Sequence, residues 1–169
     1  MILHPYRGVA PQMGEDTFLA ETAAVIGDVQ MGSQCSVWYG AVVRGDDKPI
    51  RMGDRVNVQD CAVIHGDCPV QIGSDVTIGH NATLHGATVG NHVLIGMGAT
   101  VLDGATIADC SIVAAHALVL GRTVIGPYEL WGGVPAKFIK KLSPEAVAAI
   151  DHGVQTYVDM AEEYNRMLQ

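Results

Sequence analysis

Residues 57–89 read NVQDCAVIHGDCPVQIGSDVTIGHNATLHGATV and contain three histidines, His65, His80 and His85. What relates them is a six-residue repeat, not their linear spacing. Each hexad opens on an aliphatic residue, often has glycine or another small residue second, and has a small or β-branched residue fifth; a fixed period of this kind marks a solenoid. Within the stretch, hexads open at Val58, Ile64, Ile72, Ile78 and Leu84. Toward the N-terminus the register continues through Met52, Val43, Val37, Met31, Val25 and Leu19. Toward the C-terminus it slips by one residue at Val89, then holds at Ile95, Val101, Ile107, Val113, Val119, Ile125 and Trp131. Two insertions interrupt it, one around Asp46, Asp47, Lys48 and Pro49, the other around Asp67, Cys68 and Pro69.

Three hexads to a coil turn this register into positions. Residues three hexads apart lie above one another, separated by the strand spacing of about 4.8 Å. Arg44, His65 and His85 are each second in such hexads and form one column on one edge. His80 is third in the hexad before that of His85, so it projects near a different edge, above Asp60 and with Gln59 beside it. One chain then supplies two stacked imidazoles, and a third has to come from a neighbour's other edge. A threefold trimer brings those edges together. Three imidazoles are the ligand set of catalytic zinc, with N–metal distances of about 2.0–2.1 Å and one position left for water. Side chains stacked at strand spacing can converge that closely.

The rest of the chain sets the context. At 169 residues it reads as one domain with a terminal element. Residues 1–18 contain Pro5, Gly8, Pro11 and Gly14, too much punctuation for a helix, and read as an extended lead-in covering the first coil. Residues 19–139 are the hexapeptide-repeat β-helix, with first positions turned inward and packing on their copies one coil away. WGGVPAKFIKKL is an exit segment. Ser143, Pro144 and Glu145 then give a cap, a preset first residue and a first-turn acid for a C-terminal helix over 143–169. Ile150, Val154, Tyr157, Ala161, Tyr164 and Leu168 recur at helical spacing and define the face that packs along the prism. Gly153 weakens the helix and is expected to split it near Asp151. The two tyrosines read as packing residues before catalysts, with a phenol reaching an intersubunit site as the alternative.

Apolar residues make up 49% and charged residues 17%, a composition that a buried subunit contact would explain. A net charge of −8 argues against a nucleic-acid partner, which needs a basic patch. No apolar run approaches a membrane span, and MILHPYRGVA lacks the features of a signal peptide, so a cytoplasmic location is expected. Cys35, Cys61, Cys68 and Cys110 do not share a position in adjacent coils and are expected to be free thiols. Cys68, three residues beyond His65, lies in an insertion able to approach a metal. Both insertions read either as functional loops or as solvated corners. His4, His92, His116 and His152 fall outside the column arrangement and read as surface or structural residues.

The motifs VVRGD (42–46), NVQDCAVIHG (57–66), IGHNATLHG (78–86), LIGMGATVLDGA (94–105) and WGGVPAK (131–137) resemble those of the γ-class carbonic anhydrase-like proteins of the hexapeptide-repeat superfamily. The resemblance spans nearly the whole chain. It implies a mainly β fold: a left-handed parallel β-helix of about six triangular coils with a C-terminal α-helical segment packed along it. The hand comes from the resemblance alone, since ordinary parallel crossovers are right-handed. It further implies that His65, His80 and His85 bind zinc, or iron or cobalt through the same ligands, at a homotrimer interface. Arg44, Asp46, Gln59 and Asp60 would shape the site, Arg44 and Asp46 as an ion pair fixing the subunit contact.

The implied reaction is the reversible hydration of carbon dioxide to bicarbonate by a metal-bound hydroxide. Archaeal enzymes of the class carry a longer acidic loop whose glutamates move protons. Here the loops are short and offer Asp46, Asp47 and Asp67, with Cys68 where one glutamate would fall, which points to weaker turnover. Two other readings fit a hexapeptide solenoid: a coenzyme A-dependent acyltransferase or acyl-thioester hydrolase, and a noncatalytic trimeric binding or assembly protein.

Overall fold

A computed structural model describes residues 1–167. It is mostly β, a parallel solenoid of about seven turns with one C-terminal helix, and it fits a left-handed β-helix. Three stacks of short strands form its faces. The first runs from Ile2–His4 through Val63–His65, Thr83–His85 and Thr100–Val101 to Leu118–Val119. The second runs from Gln12–Met13 through Val70–Ile72, Thr88–Val89 and Thr106–Ile107 to Val124–Ile125. The long strands Ala24–Met31 and Val42–Met52 turn a corner and serve both. The third face stacks Phe18–Leu19, Ser36–Val37, Asn57–Val58, Thr77–Ile78, Leu94–Ile95, Ile112–Val113 and Glu129–Gly132.

The hexads account for about six coils; the lead-in supplies the remaining one. Ile2–His4 pairs in parallel with Ala24–Ile26, and Gln12–Met13 with Gln30–Met31. The prolines and glycines of residues 1–18 hid this coil by occupying its corners.

First positions such as Val25, Val43, Ile64, Leu84, Val101 and Val119 are fully buried. Fifth positions such as Ala41, Ala62, Ala82, Ala99 and Ala117 bury with them. The fourth position carries the turn. Gln34, Arg55, Cys61, Asp75, Asn81, His92, Cys110, His116, Arg122 and Tyr128 all have positive φ there. For a non-glycine residue this costs about 1–2 kcal/mol. Hydrogen bonds between coils offset it: the N–H of Asn81 donates to the Asp60 carbonyl at 2.9 Å, and that of Cys110 to Asn91 at 2.9 Å.

After Glu129–Gly132 the chain reverses, and Lys137–Lys141 pairs antiparallel with it as an exposed edge strand. The helix Pro144–Met167 follows, capped by Ser143, whose hydroxyl accepts the Ala146 N–H at 3.4 Å. It packs on the third face through Ile150, Val154, Val158 and Ala161. Tyr157 and Tyr164 join Trp38 and Phe18 in an aromatic cluster with centroid distances of 5.0–5.4 Å. Leu168 and Gln169, the last two residues of the expected helix, lie outside the described residues. Gly153 does not split the helix. Ile150 and Val154 anchor it on either side, and Asp151 bonds His92 of the solenoid at 2.7 Å, so packing outweighs a propensity cost of about 1 kcal/mol.

Candidate metal centre

Strand register places the candidate ligands. His65 and His85 are directly paired neighbours on the first face, their ring centroids 5.4 Å apart, and Arg44 lies one coil below His65. His80 stands on the corner after the third face. Among the described residues, the set of three metal-capable donors within 4.8 Å of one another in a single chain is Asp67, His85 and Asp103. Thus one chain brings His65 and His85 together and holds His80 apart.

Each of the three imidazoles faces a carboxylate. Asp60 lies beneath His80 in the stack and meets its Nδ1 at 2.8 Å. Asp46 meets His65 Nε2 at 3.2 Å. Asp103, from the next coil, meets His85 Nδ1 at 2.8 Å. In a neutral ring the nitrogen facing the carboxylate carries the proton, leaving the other with a lone pair. This is how protein carboxylates orient metal-binding histidines, and the donor set fits a zinc-type ion.

Arg44 donates to both oxygens of Asp46 at 2.8 Å, within one chain. That guanidinium, through its hydrogen bonds, holds the Asp46 carboxyl below the usual carboxylate range. Gln59 is buried. Its Oε1 accepts the His80 backbone N–H at 3.1 Å and its Nε2 donates to Asn57 Oδ1 at 3.1 Å, so its amide braces the histidine's backbone.

Three neighbours of the candidate ligands escaped the repeat. Asp103 is third in its hexad and reaches diagonally to His85. Partial burial works against its ionisation, yet His85 and Cys68 hold its carboxyl below the usual range. Cys68 donates to the Gly86 carbonyl at 2.8 Å and lies 3.6 Å from Asp103 Oδ1. Its place in the second insertion was the one available signal. Tyr157, read first as a packing residue, brings its hydroxyl to 3.4 Å from His80 Nε2. Burial, then the charge of Asp60, pushes this phenol up, so it stays protonated as a hydrogen-bond donor. The four thiols are unpaired, and His92 and His116 sit at positive-φ corners away from the column.

A repeated triangular coil carrying a histidine-and-carboxylate site defines a hexapeptide-repeat protein, and the family model for the bacterial transferase hexapeptide (six repeats) matches residues 86–121. The chain is 42% identical over 161 residues to a protein named gamma carbonic anhydrase 2, mitochondrial, of Arabidopsis thaliana, covering 90% of this chain and 58% of that one. It is 35% identical over 170 residues to a carbonic anhydrase of Geobacillus kaustophilus, covering 99% and 93%. The crystal structure of a hexapeptide transferase family protein from Anaplasma phagocytophilum matches with a TM-score of 0.94 at 38% identity, over 96% of this chain and 98% of that one. The chain belongs to the γ-class carbonic anhydrase-like family. It spans less than two thirds of the plant relative's length. No described helix is long and apolar enough to cross a membrane.

Proposed function

We propose that the chain is a zinc-dependent carbonic anhydrase that hydrates carbon dioxide reversibly to bicarbonate and works as a homotrimer. The observation that carries this is the division of labour between corners. His65 and His85 converge in one chain, while His80, equally well braced by its own carboxylate, points from another corner. A threefold arrangement would set His80 of one copy against His65 and His85 of the next, giving three such sites. His65, His80 and His85 would hold the zinc, which would supply a water that ionises near pH 7; iron or cobalt would accept the same ligands.

The chain's own residues have separable roles. Asp46, Asp60 and Asp103 hold ring orientation and tautomer. Arg44 holds Asp46 from one guanidinium nitrogen shared between both carboxylate oxygens, and Gln59 fixes the backbone at His80. The Tyr157 O–H lies beside His80 Nε2 and is placed to donate to a substrate oxygen. Four unpaired thiols suit a reducing compartment, and we place the protein in the cytoplasm.

Complementation tests the shared site. His80→Ala and His85→Ala proteins should each lack bound metal and hydration activity. Co-refolded at equal ratio, they should regain about a quarter of the wild-type sites, because a copy with His65 and His85 intact meets a copy with His80 intact. Activity in either variant alone, or no recovery in the mixture, overturns the reading. The transferase name of the hexapeptide family supports a second reading as an acyltransferase, which predicts acyl transfer that persists after complete chelation.

A further inference from the structure

A pocket of about 160 Å³ lies at the seam between the helix and the third face, behind Tyr157. Its apolar wall is Leu94, Ala149 and Ile150, and Gly153 lines it without a side chain: a Cβ built there meets nothing within 4 Å. Its polar wall is Gln59, Thr77 and Tyr157, and these groups are already engaged. The Gln59 amide is held between the His80 backbone N–H and Asn57, Thr77 Oγ1 accepts from Asn57 Nδ2 at 2.9 Å, and the Tyr157 hydroxyl faces His80. A water needs about two to four polar partners to settle and finds few free ones here, while an apolar recess of roughly this volume is large enough for benzene or xenon. An adjoining groove of about 260 Å³, lined largely by apolar residues, shares Gln59, Thr77 and Leu94, extending the apolar path.

We infer that this seam pocket binds a small apolar gas and, given the function proposed above, holds carbon dioxide one side chain away from His80. Tyr157 forms the partition: one side of it lines the pocket, while its hydroxyl reaches the imidazole. The inference gives Gly153 a role that helix formation would not select, since glycine is a poor residue for the middle of a helix.

Crystals of the full chain pressurised with xenon test the pocket directly, and carbon dioxide hydration kinetics test its occupant. Xenon should appear between Gly153 and Leu94 in the wild type and be missing in Gly153→Leu. The same substitution should raise KM for carbon dioxide about tenfold, the range a side chain's worth of apolar pocket commands, with the loss falling on KM and not on kcat. Gly153→Ala, which fills less space, should be intermediate and guards against a folding defect. No xenon in the wild type, xenon undiminished in Gly153→Leu, or an unchanged KM overturns the inference. A wild type that takes up xenon in the seam but hydrates no carbon dioxide overturns the proposed function alone and keeps the gas pocket.

Discussion

Asp103 accepts a hydrogen bond from His85 Nδ1 at 2.8 Å across the step from one coil to the next. The contact joins two successive rungs of the first face, so the orientation of one proposed ligand depends on the stacking of the coil above it. Asp103→Asn should leave the solenoid intact and weaken metal affinity about 10–100-fold, the usual cost of losing a carboxylate behind a metal-binding imidazole. Competition against a chromophoric chelator measures this. Wild-type affinity in the variant would remove Asp103 from the site.

Glu129 makes a pH-dependent contribution to the last coil. The Trp131 indole N–H at 2.8 Å, then Lys141 at 2.9 Å, hold its carboxyl below the usual range. A depressed carboxyl stabilises the fold above its unfolded pKa of about 4.3, and that contribution fades as pH falls through the folded value. Glu129→Gln should therefore cost about 1–2 kcal/mol at pH 7, with the gap to wild type closing as the pH drops through the acid range. Urea denaturation at a series of pH values reads both.

Glycines in the stack and in the helix should respond oppositely to alanine. A Cβ at Gly96 would lie 2.5 Å from the backbone nitrogen of Ala115 in the next coil, where nothing flexible can yield. Gly96→Ala should destabilise by about 1–3 kcal/mol through overpacking. At Gly153 the space is open and the backbone helical, so Gly153→Ala should stabilise by roughly 0.5–1 kcal/mol. Thermal melts of the pair would show the two signs.

The thiols should separate by reactivity. Burial pushes the Cys35 thiol up to about 11, whereas Cys61 is exposed. Native protein treated with an alkylating reagent at mildly alkaline pH should be modified at Cys61 first and spared at Cys35, as read by peptide mass spectrometry. Because the folded state holds the Cys35 proton more tightly than the unfolded chain, this group's stabilising effect is complete below about pH 8.5 and declines as pH rises toward 11. Cys35→Ala should flatten that alkaline decline.

The repeat made much of this legible. The His65–His85 column, Arg44 below it and Asp60 under His80 follow from position within the hexad, because strand pairing converts position into height and edge. Asp103 was hidden because it bonds diagonally, between the third position of one coil and the second of another. Tyr157 was hidden for a different reason: the helix's register against the third face is decided by the Phe18, Trp38 and Tyr164 cluster, which no periodicity encodes. The first coil was missed because Ile2–His4 and Gln12–Met13 pair as strands without a hexad to announce them.

The reversal at Lys137–Lys141 bears on how the molecule ends. Parallel rungs present the same unfinished edge at every level, and nothing in the rungs themselves says where to stop. A strand running the opposite way, exposed along its length and holding three of the chain's four lysines, offers an arriving rung the wrong direction and a cationic fringe. On the third face it works as a terminator, closing with a reversed strand the edge that a parallel repeat would leave open to another rung.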